Sequence, residues 1–140
     1  MAVRGRQVRI LKDTLAEFNA AIELEGWSRD RGLQFWKQSD FVAEAFEELF
    51  SLRTASIAKT IIAHNSSPLP RDITAYTVIL VPTGTFETYL SPKKLRPIWD
   101  KIDPRKIYGA RSRAAVTKTA LMRYADALKR AHGKEGATAA

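Results

Sequence analysis

The stretch ITAYTVILV (residues 73–81), followed by Pro82-Thr83-Gly84-Thr85 and then Phe86-Glu87-Thr88-Tyr89-Leu90, decides the fold class. Residues 73–81 are dense in β-branched and aromatic side chains, uncharged and short, which is the composition of a buried strand. The Pro-Thr-Gly-Thr segment supplies a turn, and Phe86 to Leu90 then reads as the returning strand, giving a β-hairpin at about 73–90. Everything around it repeats at three and four residues, the spacing of helices. The expected class is α+β and mostly helical: three to four helices packed with one β-hairpin and a long basic C-terminal helix.

Immediately upstream, Ser66-Ser67-Pro68-Leu69-Pro70 is a loop, because two prolines within three residues end any helix. Before it, Phe41, Val42, Ala45, Phe46, Leu49, Phe50 and Leu52 cover nearly half of one helix, with Ser39-Asp40 as its expected N-cap. Ile57, Ala58, Ile61 and Ile62 then shift phase, so a bend or break is expected near Arg53 to Ser56, with Thr54 or Ser56 capping a third helix that ends by His64-Asn65. The spacing alone leaves open whether residues 40–64 form one bent helix or two. Further upstream, Val8, Leu11, Leu15, Phe18 and Ile22 form a narrow stripe that predicts a first helix from Gln7 to Glu25, stopped by Gly26. Leu33, Phe35 and Trp36 form an apolar patch in the connection.

Downstream, Leu95 to Ile102 predicts a short helix and Asp103-Pro104 another short turn. The last helix is expected from Arg111 to His132. Ala120, Leu121, Tyr124, Ala125, Leu128 and Ala131 form its apolar side, and Arg111, Lys118, Arg123, Lys129 and Arg130 the opposite one. Gly133 is the expected stop, so residues 1–133 read as one domain and 134–140 as a flexible tail.

With 140 residues and no cysteine, the chain has length enough for a core and neither disulfides nor thiolate metal sites. Met1 to Arg9 holds three arginines and no apolar run, so it does not read as a secretory signal, and no segment has the apolar length of a bilayer span. The expectation is a cytoplasmic protein with no membrane partner. The net charge of +8 is unevenly spread. Residues 1–12 carry +4, residues 13–50 carry −6, residues 51–90 carry +1 and residues 91–140 carry +9. An acidic helical segment flanked by two basic ones points to charged partners or to copies of the chain docking acidic face on basic face.

The residues do not assemble into catalytic chemistry. There is no Gly-rich phosphate loop. His64 and His132 both fall at helix ends, where a histidine satisfies terminal carbonyls rather than activating a nucleophile. Glu44, Glu47 and Glu48 share a helix face, but no histidine accompanies them, so they read as a solvated face and a candidate acidic interface. A two-metal nuclease of the Asp, Glu-x-Lys kind would use Asp72 and Glu87, yet Tyr89 stands where its lysine belongs. No cofactor, metal or small-molecule substrate is therefore expected.

The basic C-terminal third stands out most. Lys93, Lys94, Arg96, Lys101, Arg105, Lys106, Arg111 and Arg113 face only Asp100 and Asp103 over the same span. With Lys118, Arg123, Lys129 and Arg130 they form a candidate basic interface or nucleic-acid contact, beside which Tyr89, Trp99 and Tyr108 are available to stack on bases. A winged-helix arrangement is disfavoured, because the helix from Ala55 to His64 offers only Lys59 and His64 to a groove and has a broad apolar side.

From Phe41 to Ile98 the order of elements resembles the small tail-completion or head–tail neck proteins of tailed bacteriophages. The matching pieces are Ala55 to Ala63, Pro68 to Pro70, Tyr76 to Val81, Gly84-Thr85 and Pro92-Lys93-Lys94-Leu95-Arg96-Pro97-Ile98. The acid usual shortly before the family's Gly-Thr is replaced here by Val81-Pro82-Thr83. The resemblance implies a non-enzymatic virion component that sits in a ring between head and tail, contacting other copies of itself and neighbouring structural proteins. A ring of identical subunits needs two different patches that meet. The acidic and basic faces are the expected pair. The alternative expectation is a nucleic-acid-binding accessory protein using the basic region.

Overall fold

The computed structural model describes residues 5–30, 38–65, 70, 72–102 and 112–139. The order is β1 (Gly5–Leu11), α1 (Lys12–Asp30), α2 (Gln38–Phe50), α3 (Thr54–His64), a 3-10 turn (Ile73–Ala75) and β2 (Tyr76–Pro82). There follow α4 (Thr83–Thr85), continuing as a π-helical turn over Phe86–Leu90, then α5 (Pro92–Ile102) and α6 (Ser112–Ala139). The protein is α+β and mostly helical, with a two-stranded antiparallel sheet and a long C-terminal helix, as the pattern predicts. Among the described residues there are five longer helices, rather than three to four.

The strands, however, are differently drawn. Tyr76–Pro82 pairs antiparallel with Gly5–Leu11, in the register Gly5↔Pro82 to Leu11↔Tyr76. The expected first helix from Gln7 therefore begins only at Lys12, and runs through Gly26 to Asp30. Val8 fits a helical stripe with Leu11, but with Ile10 it also fits a two-residue repeat. Both are buried, while Gln7 and Arg9 are exposed. The partner strand decides between the readings, because an unpaired buried backbone would be costly. Gly5 is required by this pairing: a Cβ there would collide with the Val81 carbonyl oxygen and come within 2.8 Å of Leu80 Cγ.

Phe86 to Leu90 is helical, so no hairpin spans 73–90. Phe86 and Leu90, four residues apart, are the buried pair, and the Thr88 hydroxyl donates to the Gly84 carbonyl at 2.7 Å, closing the turn. α2 and α3 are two helices, broken where Arg53 takes extended backbone (φ −63°, ψ 149°). Arg53 is the N-cap of α3, so neither Thr54 nor Ser56 serves as its cap. Ser39 and Asp40 lie inside the first turn of α2 rather than ahead of it. α6 continues past Gly133 to Ala139, through the segment expected to be a tail. The expected patch Leu33, Phe35 and Trp36, and the turn at Asp103-Pro104, lie outside the described residues.

α6 is the centre of the molecule, packed against α1, α2, α3 and β1. Its first half is buried at Ala115, Val116, Thr117, Thr119, Ala120, Leu121, Tyr124 and Ala125. At 100° per residue these positions span roughly 280° of the helix circumference. A helix touched by four neighbours has little room for a polar face, which is why burial exceeds the amphipathic stripe read from residues 120–131. Ala131, on that stripe, is exposed. The two buried threonines return their hydroxyls to the helix: Thr117 donates to Arg113 O (2.7 Å) and Thr119 to Ala115 O (2.9 Å). Tyr124 packs between Phe18 of α1 and Phe41 of α2, with ring centroids 6.1 and 6.5 Å away.

Leu121→Ala removes a fully buried side chain from this post. It is expected to cost about 2–5 kcal/mol, read as a lower urea midpoint at unchanged slope. A loss below about 1 kcal/mol would contradict the central placement of α6.

Candidate functional site

The sheet and α6 sort the charged side chains into two neighbourhoods. On one side, α2 packs against α6. Glu48, Ser51, Arg123, Ala127 and Arg130 line an open groove of about 450 Å³ there. The candidate acidic and basic faces thus meet inside one subunit rather than standing apart. Glu44 and Glu48 already have partners, and Glu47 is exposed on the same helix. This changes the expected mode of self-assembly. An acid-to-base contact between copies would have to compete with the arginines that line the groove beside Glu48.

On the other side the bases outnumber the acids, of which Glu87 on the π-helical turn and Asp100 on α5 are exposed. Phe86, held in the π-helical turn, carries two guanidinium groups over its ring: Arg6 from β1 at 4.7 Å and Arg113 from the start of α6 at 4.9 Å. Phe86 is 5% exposed, so the ring serves as a buried platform for two solvent-facing cations. α5 packs on the same turn, and its Lys93, Lys94 and Arg96 are exposed. None of these five bases makes an ion pair with a described residue. Sequence reasoning named Lys93, Lys94, Arg96 and Arg113. It missed Arg6, because the pairing of β1 with β2 brings that arginine across from the far end of the chain.

The remaining candidates divide. Lys118 and Arg123 are half-buried on α6, and Lys129 and Arg130 are exposed toward its C-terminal half. Arg105, Lys106 and Arg111 lie outside the described residues, as do Tyr108 and the Trp99 side chain. Tyr89 is not available to stack on a base. It is itself stacked on Phe50 (4.7 Å, 26°) and lies parallel to Phe46 (6.3 Å, 6°), which ties the π-helical turn to α2.

The chemical alternatives can be followed to their atoms. His64 Nδ1 donates to the Thr60 carbonyl at 2.9 Å, the helix-end role that its position predicts. Asp72 accepts from the Thr74 backbone N–H at 2.9 Å. That bond first, the Thr74 hydroxyl next and the more distant charge of Lys12 last hold its carboxyl below the usual carboxylate range, against a small desolvation penalty. Asp72 is thereby a turn residue leading into β2, and Glu87 sits exposed on a helical turn, not on the strand a two-metal nuclease would need. No group of three or more His, Cys, Asp or Glu among the described residues is placed to hold a metal ion. α3 is buried at Ile57, Ala58 and Ile61 and packs on α5 and α6, so it is not a helix free to enter a groove.

One polar side chain is buried at the junction of α3 and α6. Asn65 Nδ2 donates to Ile61 O (2.8 Å) and to Thr119 Oγ1 (3.1 Å), joining the end of α3 to α6. Its Oδ1 accepts no hydrogen bond.

Comparison with family models, with curated proteins and with solved structures gives no match. No helix among the described residues is long and apolar enough to cross a membrane.

Glu48→Lys would place a third cation among Arg123 and Arg130. Stability is expected to fall by about 0.5–1 kcal/mol at low salt, the deficit shrinking as salt screens it. A salt-independent change in melting temperature would show that these groups do not act on one another.

Proposed function

We propose that this chain is a non-enzymatic assembly protein whose working parts are surfaces for other macromolecules. The observation that carries this reading is the separation of two surfaces on one rigid scaffold. A basic side is built from Arg6, Arg113 and α5, and an uncharged strand, β2, exposes Val78 and Leu80 on its outer face. Both are exposed features of the kind that meet partners, and both are carried by elements of the packed core.

Within that class, the resemblance of Phe41 to Ile98 to phage tail-completion and neck proteins gives the specific role: a virion component at the junction of head and tail. The test is a phage carrying this gene with an early stop codon. Electron micrographs of the lysate should show filled heads and finished tails that fail to join. Normal infectious particles would overturn the role.

The Arg6–Phe86–Arg113 arrangement favours a second reading, contact with nucleic acid, because its guanidiniums are oriented by a ring rather than neutralised by carboxylates. Binding to random duplex DNA, followed by fluorescence anisotropy, should then weaken steeply with salt. Each phosphate contact contributes a slope of about −0.9 in log K against log salt. The triple substitution Lys93→Glu, Lys94→Glu, Arg96→Glu should lower that slope by about two to three. No binding at low salt would remove this reading and leave the assembly role untouched.

A further inference from the structure

Among the described residues the sheet has two strands, so each has one edge with no described strand beside it. The two edges are not alike. β1 carries Arg6 and Arg9, both exposed, and charged side chains on an edge strand are a usual guard against pairing with another chain. β2 runs Tyr76-Thr77-Val78-Ile79-Leu80-Val81-Pro82 without a charge, and without proline before its last residue. Val78 to Val81 make no backbone hydrogen bond with any described residue outside β1. On the outer face Val78 is 50% and Leu80 38% exposed, while Ile79 and Val81 between and beside them are buried.

From this asymmetry we infer that β2 is the seam between two copies of this chain, paired antiparallel across a two-fold axis into a four-stranded sheet of order β1-β2-β2-β1. The choice of occupant follows from charge. Two molecules of net charge +8 repel over most of their surfaces, and edge pairing through β1 would bring arginines toward arginines. β2 is self-complementary because it has no charge to oppose. With Ile79 on the axis, Val78 of each copy stands opposite Leu80 of the other, and four half-covered aliphatic side chains close over one another on the outer face. The extra strands also relieve the weakness of a two-stranded sheet, which is marginal by itself. Such a seam depends on the strand alone, whether or not the chain has the phage role.

The salt dependence separates this seam from an acid-to-base contact. Added salt screens the repulsion between copies without touching an apolar seam, so dimerisation should tighten as salt rises. A contact between α2 carboxylates and α6 arginines would loosen.

Sedimentation velocity over the micromolar range tests the inference on the intact chain. The wild type should approach twice its 15.7 kDa mass, more completely at high salt than at low. Val78→Lys and Leu80→Lys should each be monomeric with an unchanged far-ultraviolet circular dichroism spectrum, since both side chains face solvent in the single copy. Ile62→Lys, on the exposed side of α3, should leave the dimer intact. A monomeric wild type overturns the inference. So does a dimer that survives both sheet substitutions, or one that dissolves as salt is raised.

Discussion

The structure depends on the nearly complete burial of the first half of α6. α6 packs against α1, α2, α3 and β1 at once, and most of its residues from Ala115 to Ala125 are buried. Small residues make this feasible. Ala115, Ala120 and Ala125 let neighbouring backbones approach, while Leu121 and Tyr124 fill the space between them. The cost of enclosing Thr117 and Thr119 is met locally, through hydroxyl bonds to carbonyls four residues back. The C-terminal third is therefore the post around which the earlier elements fold, and its basic side chains occupy what remains of its surface.

That constraint also explains the charge layout. With its first half largely enclosed, α6 shows Arg113 at its start, where it reaches Phe86, leaves Lys118 half-exposed, and carries Arg123 and Arg130 in the groove that Glu48 also lines. The acidic helix α2 packs along α6, so that Glu48 lines the same groove as Arg123 and Arg130. What remains exposed is the basic side near Phe86 and the outer face of β2. Charge sorting along the chain thus becomes, after folding, one groove of mixed charge and one basic side.

The sequence made much of this legible. The helices α2, α3 and α5 follow from their apolar repeats, and the break near Arg53 follows from the phase change after Leu52. The strand at Tyr76–Pro82 follows from its β-branched density. Its partner could not be read locally, because Gly5–Leu11 lies some seventy residues away and its Val8 suits a helix with Leu11 as well as a strand with Ile10. Phe86–Leu90 was ambiguous for the same reason: a short apolar run acquires its period only when its neighbours are in place, and here burial of Phe86 with Leu90 sets a four-residue repeat. Of the candidate site, Lys93, Lys94, Arg96 and Arg113 were visible as a basic run. Arg6 was not, since its place beside Arg113 is created by the long-range pairing of β1 with β2.

Native-state hydrogen exchange on α6 tests the account most directly. If residues 116–125 form the post, their backbone amides exchange only through global unfolding, with opening free energies equal to the stability measured in urea, and β1 amides bonded to β2 open later than the ends of α6. Exchange of those α6 amides through a local opening, well below the global free energy, would contradict it.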